Sequence, residues 1–175
     1  MAVKSFWQLV VTTMEITAAS FRHENDVMFN RLKDDTSSLV VNTARSSQMR
    51  MVMLAVGGFS MLEGILEQTC GWDPPFIELD RNLRVIGQAA IADEFMIYKL
   101  AINVLKHGEG ENYGRLLRIG NLPFRVKAQG ESWFDEGDVS EIPGLVLVDN
   151  QFVLSCAHVI EKAMIALQIS HFDLR

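Results

Sequence analysis

Apolar residues recur at intervals of four and seven through the first third of the chain, and this period restricts that region to packed helices. Between residues 5 and 32 the stripe is formed by Phe6, Val10, Met14, Phe21 and Met28. Such spacing places all of them on one face of an α-helix. Leu9 and Ile16 widen the stripe on one side and Phe29 on the other, and the polar run at residues 34–38 ends it. The pattern predicts a first helix over residues 5–32.

A second helix is predicted over residues 43–69. Its inward positions share the same period: Met51, Leu54, Phe59, Leu62, Ile65 and Leu66. Gly57 and Gly58 lie inside it, where each glycine costs about 1 kcal/mol relative to alanine. Close packing against another helix is the simplest reason for this pair, and a kink is the alternative. Gly71 and the following Trp-Asp-Pro-Pro end the helix.

Two further helical segments follow. Residues 76–90 direct Ile77, Leu83 and Ile86 inward, and either Gly87 or the region of Asp93 separates this segment from the next. The next helix, residues 95–107, is largely apolar and ends at two glycines, Gly108 and Gly110. A short helical piece is expected over residues 112–117.

The period changes after residue 120. Residues 124–128 alternate as a strand does, and residues 130–141 form a polar acidic loop. Residues 145–154 are typical of a short hairpin or of a strand followed by a turn. A last helix is expected over residues 155–169, with His158 a core or interface side chain. The sequence therefore predicts one domain over residues 1–175, an all-α antiparallel bundle with a small β-hairpin before its last helix.

Composition limits the class of protein. The chain has 175 residues and a net charge of −6, which excludes an all-over basic nucleic-acid binder but not a local basic groove. Cys70 and Cys156 are far apart and fit buried thiols in a reducing cytoplasm, and no zinc spacing is present. No metal or cofactor is expected. The apolar run at residues 51–62 is too short to cross a bilayer, so no membrane partner is expected.

One polar pair lies at the end of the apolar helix over residues 95–107. Asn103 and His107 are four residues apart, and Lys99 is four residues before Asn103. On a helix the three share one face. Histidine exchanges protons near neutral pH, so this pair is the main candidate for chemistry.

The sequence Asn103-Val-Leu-Lys-His107 followed by Gly110 resembles the motif of the HEPN family, and Glu63 is similar to an acidic position often found in its second helix. The resemblance implies a helical, dimeric, metal-independent RNase or RNA-binding protein of the toxin or phage-defence kind. It also implies His107 as general base or acid, with Asn103 orienting the phosphate or the partner histidine. Partners implied are a second copy, RNA, and an antitoxin or nucleotidyltransferase.

The chain departs from that motif at Ile102, where the family has an arginine. An aliphatic side chain cannot stabilise charge on a phosphate, so Lys99 and Lys106 are the candidate phosphate-binding residues, and Arg115 would add positive potential. The departure leaves open both an active RNase and a HEPN-like protein whose catalysis is altered or lost. The competing hypothesis is a non-enzymatic dimerisation or interaction module. In that case His107 and Asn103 would be buried or would cap the helix, with apolar surface around them.

Overall fold

The computed structural model describes residues 4–32, 34–35, 37–128, 130–131 and 144–169. This part of the chain forms six helices: α1 (Phe6–Leu32), α2 (Ser38–Cys70), α3 (Pro75–Val85), α4 (Ala89–His107), α5 (Glu111–Arg118) and α6 (Asn150–Ala166). The predicted all-α bundle is confirmed. Most of the predicted acidic loop lies outside the described residues.

The first two helices form an antiparallel pair. Gly58 of α2 meets Met14 of α1, while Arg50 stacks over the Phe21 ring at 4.4 Å and pairs with Glu24 at 3.5 Å. Residue numbers thus rise along α2 as they fall along α1. Helix α6 packs against both, and α4 packs against α2, α3, α5 and α6. Helix α4 is therefore the central helix of the second half of the chain.

The adjacent glycines of α2 have different surroundings. A Cβ atom added to Gly58 would overlap the Met14 sulfur and lie 2.9 Å from its terminal methyl carbon. A Cβ added to Gly57 would meet no atom within 4 Å. The predicted close packing is confirmed for Gly58 and is wrong for Gly57, because that position points away from α1.

Helix α2 is longer than its apolar residues predict. It begins at Ser38, five residues before the predicted start, and Leu39 in its first turn is 74% exposed. Its end matches the prediction, because Gly71 adopts a left-handed conformation with φ 66° and its amide donates to the Glu67 carbonyl. This is the glycine stop that many helices use.

Two groups of aromatic rings fix α4 in place. Phe95 lies 5.4 Å from both Phe59 of α2 and Phe76 of α3, measured between ring centroids. One turn later, Tyr98 lies 5.2 Å from Phe124 and 5.7 Å from Phe152 of α6. Aromatic pairs at these separations add to the stabilisation from burial. The orientation of α4 is thereby set from three sides.

The predicted β-hairpin is wrong. In the described residues the extended segments meet only at one antiparallel bridge, between Val126 and Val146. The proposed second arm, residues 151–154, is instead the first turn of α6. The Asp149 carboxylate caps that turn by accepting a hydrogen bond from the Phe152 amide at 2.7 Å. Because Phe152 and Val153 are both buried, core packing also favours helix there.

Several predicted core positions are exposed. Leu9 and Ile16 are 47% and 63% exposed, because α1 turns the Trp7, Val11, Met14 and Ala18 side of the helix inward. The indole of Trp7 donates to the Ile169 carbonyl at 2.7 Å, which ties the start of α1 to the end of α6. The side chains of Met28 and Phe29 lie outside the described part.

Other inward predictions also fail. Ile77 and Ile86 are each 49% exposed, since α3 buries Phe76, Leu79 and Leu83 instead. His158 is exposed on α6, so it is not a core side chain, and its place in an interface stays a prediction. Cys156 is fully buried as expected, whereas Cys70 is only partly buried.

Within the described residues, α2 alone is long and apolar enough to cross a bilayer, judged by length and composition, and 39% of its most apolar window is buried. The predicted run of residues 51–62 is thus part of a helix of 33 residues. That no membrane is involved stays a prediction.

Candidate functional site at the end of helix α4

Helix α4 is continuous from Ala89 to His107, so the candidate residues keep helical spacing. Lys99, Asn103 and His107 follow one another at intervals of four and share one face. Lys99 and Asn103 are half-buried, and His107 is exposed as the last residue of the helix. The predicted shared face is therefore present, and its His107 end is exposed to solvent.

The turn after His107 leaves its imidazole open to solvent. Gly108 adopts φ 73°, a conformation that glycine reaches without strain, and its amide donates to the Val104 carbonyl at 2.8 Å. Within the described part of the chain, no hydrogen bond or ion pair joins the His107 or Asn103 side chains to another residue. These two side chains are thus open to a ligand.

Ile102 lies on the inward side of α4. Its side chain is 4% exposed and belongs to the apolar core, although its position is the one that carries arginine in the HEPN motif. A guanidinium at this position would be buried among apolar side chains, which is costly without a paired anion. Positive charge for a phosphate must come from other residues.

Two lysines on α4 can supply that charge. Lys106 is exposed and lies seven residues after Lys99, which is two turns further along nearly the same side of the helix. Among the described residues, neither lysine forms an ion pair. Lysine binds phosphate as a point charge and lacks the bidentate geometry of arginine.

Helix α5 adds two arginines beside the end of α4. Its Tyr113 hydroxyl donates to the Lys127 carbonyl at 2.6 Å, which anchors the helix to the extended segment that follows. Burial raises the pKa of Tyr113, so this hydrogen-bond donor stays protonated. Arg115 and Arg118 are exposed in the last turn. Arg115 was predicted as part of the site, and Arg118 was not. The signal in the sequence was a second arginine three residues after Arg115.

Charge is unevenly distributed along the chain. Residues 95–128 contain six Lys or Arg and two Asp or Glu, out of sixteen and twenty-two in the whole chain. The remainder therefore has ten basic and twenty acidic residues. Residues 99–118, which form the end of α4, the turn after it and α5, carry four basic and two acidic residues and are the basic region of an otherwise acidic protein.

Glu63 lies on α2, on a half-buried turn between Phe59 and Leu66. In the described part of the chain it forms no hydrogen bond or ion pair. It is consequently not joined to Asn103 or His107, and its supporting role stays a prediction.

Contacts with α6 hold the earlier turns of α4. The Lys162 ammonium lies 2.9 Å from the Glu94 carboxylate, and the Tyr98 ring lies 5.7 Å from the ring of Phe152. Burial raises the pKa of Tyr98, which keeps the phenol neutral within the aromatic group. These contacts position α4 and do not themselves reach His107.

A cavity of about 570 Å³ lies elsewhere, near the ends of α2, α3 and α6. Cys70, Trp72, Asn82, Gln88 and Leu167 contribute to its wall. Burial raises the pKa of the Cys70 thiol, so the thiolate needed for nucleophilic chemistry is disfavoured. None of the α4 candidates lines this cavity.

Among the described residues, no three His, Cys, Asp or Glu side chains are grouped closely enough to hold a metal ion. The independence from metals and cofactors stays a prediction. Comparison of the chain with protein-family models, curated proteins and solved structures gave no match. The resemblance to HEPN proteins therefore stays a prediction from the sequence, based on residues 103–110 and on Glu63.

Proposed function

We propose that this chain is a HEPN-like protein that binds RNA at the end of α4 and acts on it through His107. The observation that carries the proposal is the exposed His107 imidazole, which lies on one face with Asn103 and Lys99 inside a basic region of an acidic protein. Histidine has the proton affinity that RNA transesterification requires.

Local charge supports an RNA ligand. The phosphate backbone attracts clustered lysine and arginine, and such attraction supplies most non-specific affinity for nucleic acids. Lys99, Lys106, Arg115 and Arg118 lie on two neighbouring helices, and none of the four forms an ion pair with another described residue. They are therefore able to neutralise phosphates without first breaking an ion pair within the protein.

The proposed reaction needs a base and an acid. His107 accepts the proton of a ribose 2′-hydroxyl, and the 2′ oxygen attacks the adjacent phosphorus. The bond from phosphorus to the 5′ oxygen breaks, and a protonated His107 from a second copy donates its proton to that oxygen. The products are a 2′,3′-cyclic phosphate and a 5′-hydroxyl. Asn103 orients the phosphate, while Lys99 or Lys106 stabilises its added negative charge.

The biological setting follows from the same resemblance. HEPN-like proteins of the toxin or phage-defence kind act in the cytoplasm, often with an antitoxin or nucleotidyltransferase. We propose the same setting and partners for this chain.

A second candidate is a non-enzymatic interaction module. The buried Ile102 favours it, because the position of the family's arginine is taken by a core side chain. Exposed apolar side chains on α2 also favour it, with Leu39 and Met53 at 74% and 66% exposure. In this case the basic region would have no catalytic role.

RNA binding and cleavage by the purified chain in EDTA separate the two candidates. His107→Ala is the test variant, and His158→Ala is the matched control, because His158 is an exposed helical histidine on α6. We expect wild type and the control to bind and cleave RNA, and the His107 variant to bind without cleaving. Absence of both binding and cleavage by folded wild-type protein would reject the proposal in favour of the interaction module.

A further inference from the structure

The cavity near the ends of α2, α3 and α6 lies at the opposite end of α4 from His107, and we call it the end cavity. Gln88, which contributes to its wall, is the N-cap of α4, whereas His107 is the last residue of that helix. A helix of 19 residues is about 28 Å long, so the end cavity is separate from the proposed RNA site. Its volume of about 570 Å³ is in the range of cavities that hold small molecules.

The wall of the end cavity is polar but uncharged. Three carboxamides contribute to it, those of Asn82, Gln88 and Gln168, beside the indole of Trp72. Among the described residues of the wall none carries a charge, because burial raises the pKa of the Cys70 thiol and keeps it neutral. An ionic ligand would find no opposite charge there to replace its hydration. The wall therefore suits an uncharged ligand.

The polar groups of the wall are available to a ligand. The Asn82 amide nitrogen donates to the Glu78 carbonyl at 2.8 Å, which leaves the Asn82 side-chain oxygen as an acceptor. In the described part of the chain, no hydrogen bond joins the side chain of Trp72, Gln88 or Gln168 to another residue. An indole N–H donates, and a carboxamide both donates and accepts. The end cavity thus offers donors and acceptors together.

Gln168 holds a backbone conformation that residues with a side chain rarely adopt. Its φ is 54°, and the turn is closed by the Ile169 amide, which donates to the Met164 carbonyl at 3.2 Å. After α2 and α3 a positive φ is taken by glycine, at Gly71 and Gly87. A β-carbon is strained in this region, and strain of this kind is found at ligand sites. A glutamine side chain in the cavity wall is a role that glycine could not fill.

We propose that the end cavity binds an uncharged, planar heteroaromatic molecule with amide donors and acceptors, the class that includes nicotinamide and the nucleobases. Trp72 supplies an aromatic ring for stacking, which adds to the gain from burying apolar area. Gln88 and Gln168 supply the paired donor and acceptor with which carboxamides recognise the edge of such a ring. The site shares no residue with the proposed RNA site.

Titration of the isotope-labelled full chain with nicotinamide, followed by NMR spectroscopy, tests the proposal. Trp72 is one of three tryptophans, so its indole N–H signal is readily resolved. We expect saturable shifts of that signal and of the Gln88 and Gln168 side-chain amides, with a Kd of about 1 mM or lower.

Two ligands of nearly the same size are the chemical controls. Nicotinate replaces the amide with a carboxylate, and cyclohexanecarboxamide keeps the amide but lacks the aromatic ring. Each should bind at least about fivefold more weakly than nicotinamide, which corresponds to the loss of one hydrogen bond or one aromatic contact.

Gln168→Gly separates the role of the side chain in binding from its effect on the fold. Glycine relieves the backbone strain, so Tm should rise by about 2–4 °C. The lost amide should weaken nicotinamide binding at least about fivefold. Asn121→Gly is the matched control, because Asn121 also has a positive φ, 56°, and does not line the cavity. It should not lower Tm and should leave the nicotinamide affinity unchanged.

Any of three results would overturn the proposal. One is the absence of saturable shifts of the Trp72 indole signal at about ten times the expected Kd. Another is equally tight binding of nicotinate or cyclohexanecarboxamide, which would show that neither charge nor the aromatic ring is selected. The last is full nicotinamide affinity in Gln168→Gly. RNA cleavage is measured separately, so a failure here is distinguishable from a failure of the proposed function.

Discussion

Alanine substitution at the two adjacent glycines of α2 should change stability in opposite directions. At Gly57 the added methyl meets no atom within 4 Å, so only helix propensity changes. We expect Gly57→Ala to raise the free energy of unfolding by up to about 1 kcal/mol. In a domain of this size that corresponds to a rise in Tm of about 2–4 °C.

At Gly58 the added methyl overlaps the end of Met14, whose side chain is only 1% exposed. Forcing a buried side chain aside costs about 1–3 kcal/mol, and the gain in propensity recovers about 1 kcal/mol. We therefore expect Gly58→Ala to lower the free energy of unfolding by about 0–2 kcal/mol. The two variants should then differ by about 1–3 kcal/mol.

Urea denaturation followed by circular dichroism measures both variants. Each should be unfolded at two protein concentrations, so that any effect of association is separated from the stability of the subunit. Combining Gly58→Ala with Met14→Ala should reveal coupling, because removal of the longer side chain makes room for the methyl. Equal stabilisation by both single variants would refute the packing of α1 against α2 at Gly58.

Three further predictions concern the cap of α6, the buried thiol and the basic region. Asp149→Ala should lower the free energy of unfolding by about 1 kcal/mol in urea denaturation, whereas Asp149→Asn, which keeps a capping oxygen, should be nearly neutral. Burial raises the pKa of Cys156 above its ordinary 9.0, so its stabilising contribution is complete below pH 9 and declines above it. Between pH 8 and pH 10 the free energy of unfolding should fall less for Cys156→Ala than for wild type. An equal fall in both would contradict the contribution of the buried Cys156 thiol. Lys99→Ala and Lys106→Ala should each reduce the salt dependence of RNA binding, by about 0.7 in the log–log slope for each phosphate that is no longer neutralised. Unchanged slopes in filter-binding titrations would remove these lysines from the site.

The helices could be predicted because their apolar periods and glycine stops are local. Gly71 ends α2 where the sequence indicates, and His107 ends α4. Which side of α1 and of α3 faces the core could not be predicted as reliably. Ile16 and Ile77 continue an apolar period, but whether such residues are buried depends on where the neighbouring helix lies.

The false hairpin has a related cause. Residues 152–154 are apolar, and a short apolar run does not distinguish strand from helix. The deciding signal was Asp149, whose carboxylate caps the helix by binding the Phe152 amide. Burial of Phe152 against Tyr98 of α4 then depends on a residue more than fifty positions away in sequence, which no local pattern contains.

The sequence predicts which residues of the candidate site share a helix face, but it does not predict which of the neighbouring residues are buried. Helical spacing indicated the common face of Lys99, Asn103 and His107. That Ile102 is a core residue depends on how α4 packs against its neighbours, and only the three-dimensional structure gives that information.

The central claim is that His107 acts on RNA, and one measurement tests it most directly. Single-turnover cleavage of labelled RNA in EDTA should be detectable for wild type and for His158→Ala. It should be abolished in His107→Ala, with RNA affinity unchanged. Cleavage that persists in His107→Ala, or no cleavage by folded wild type, would contradict the claim.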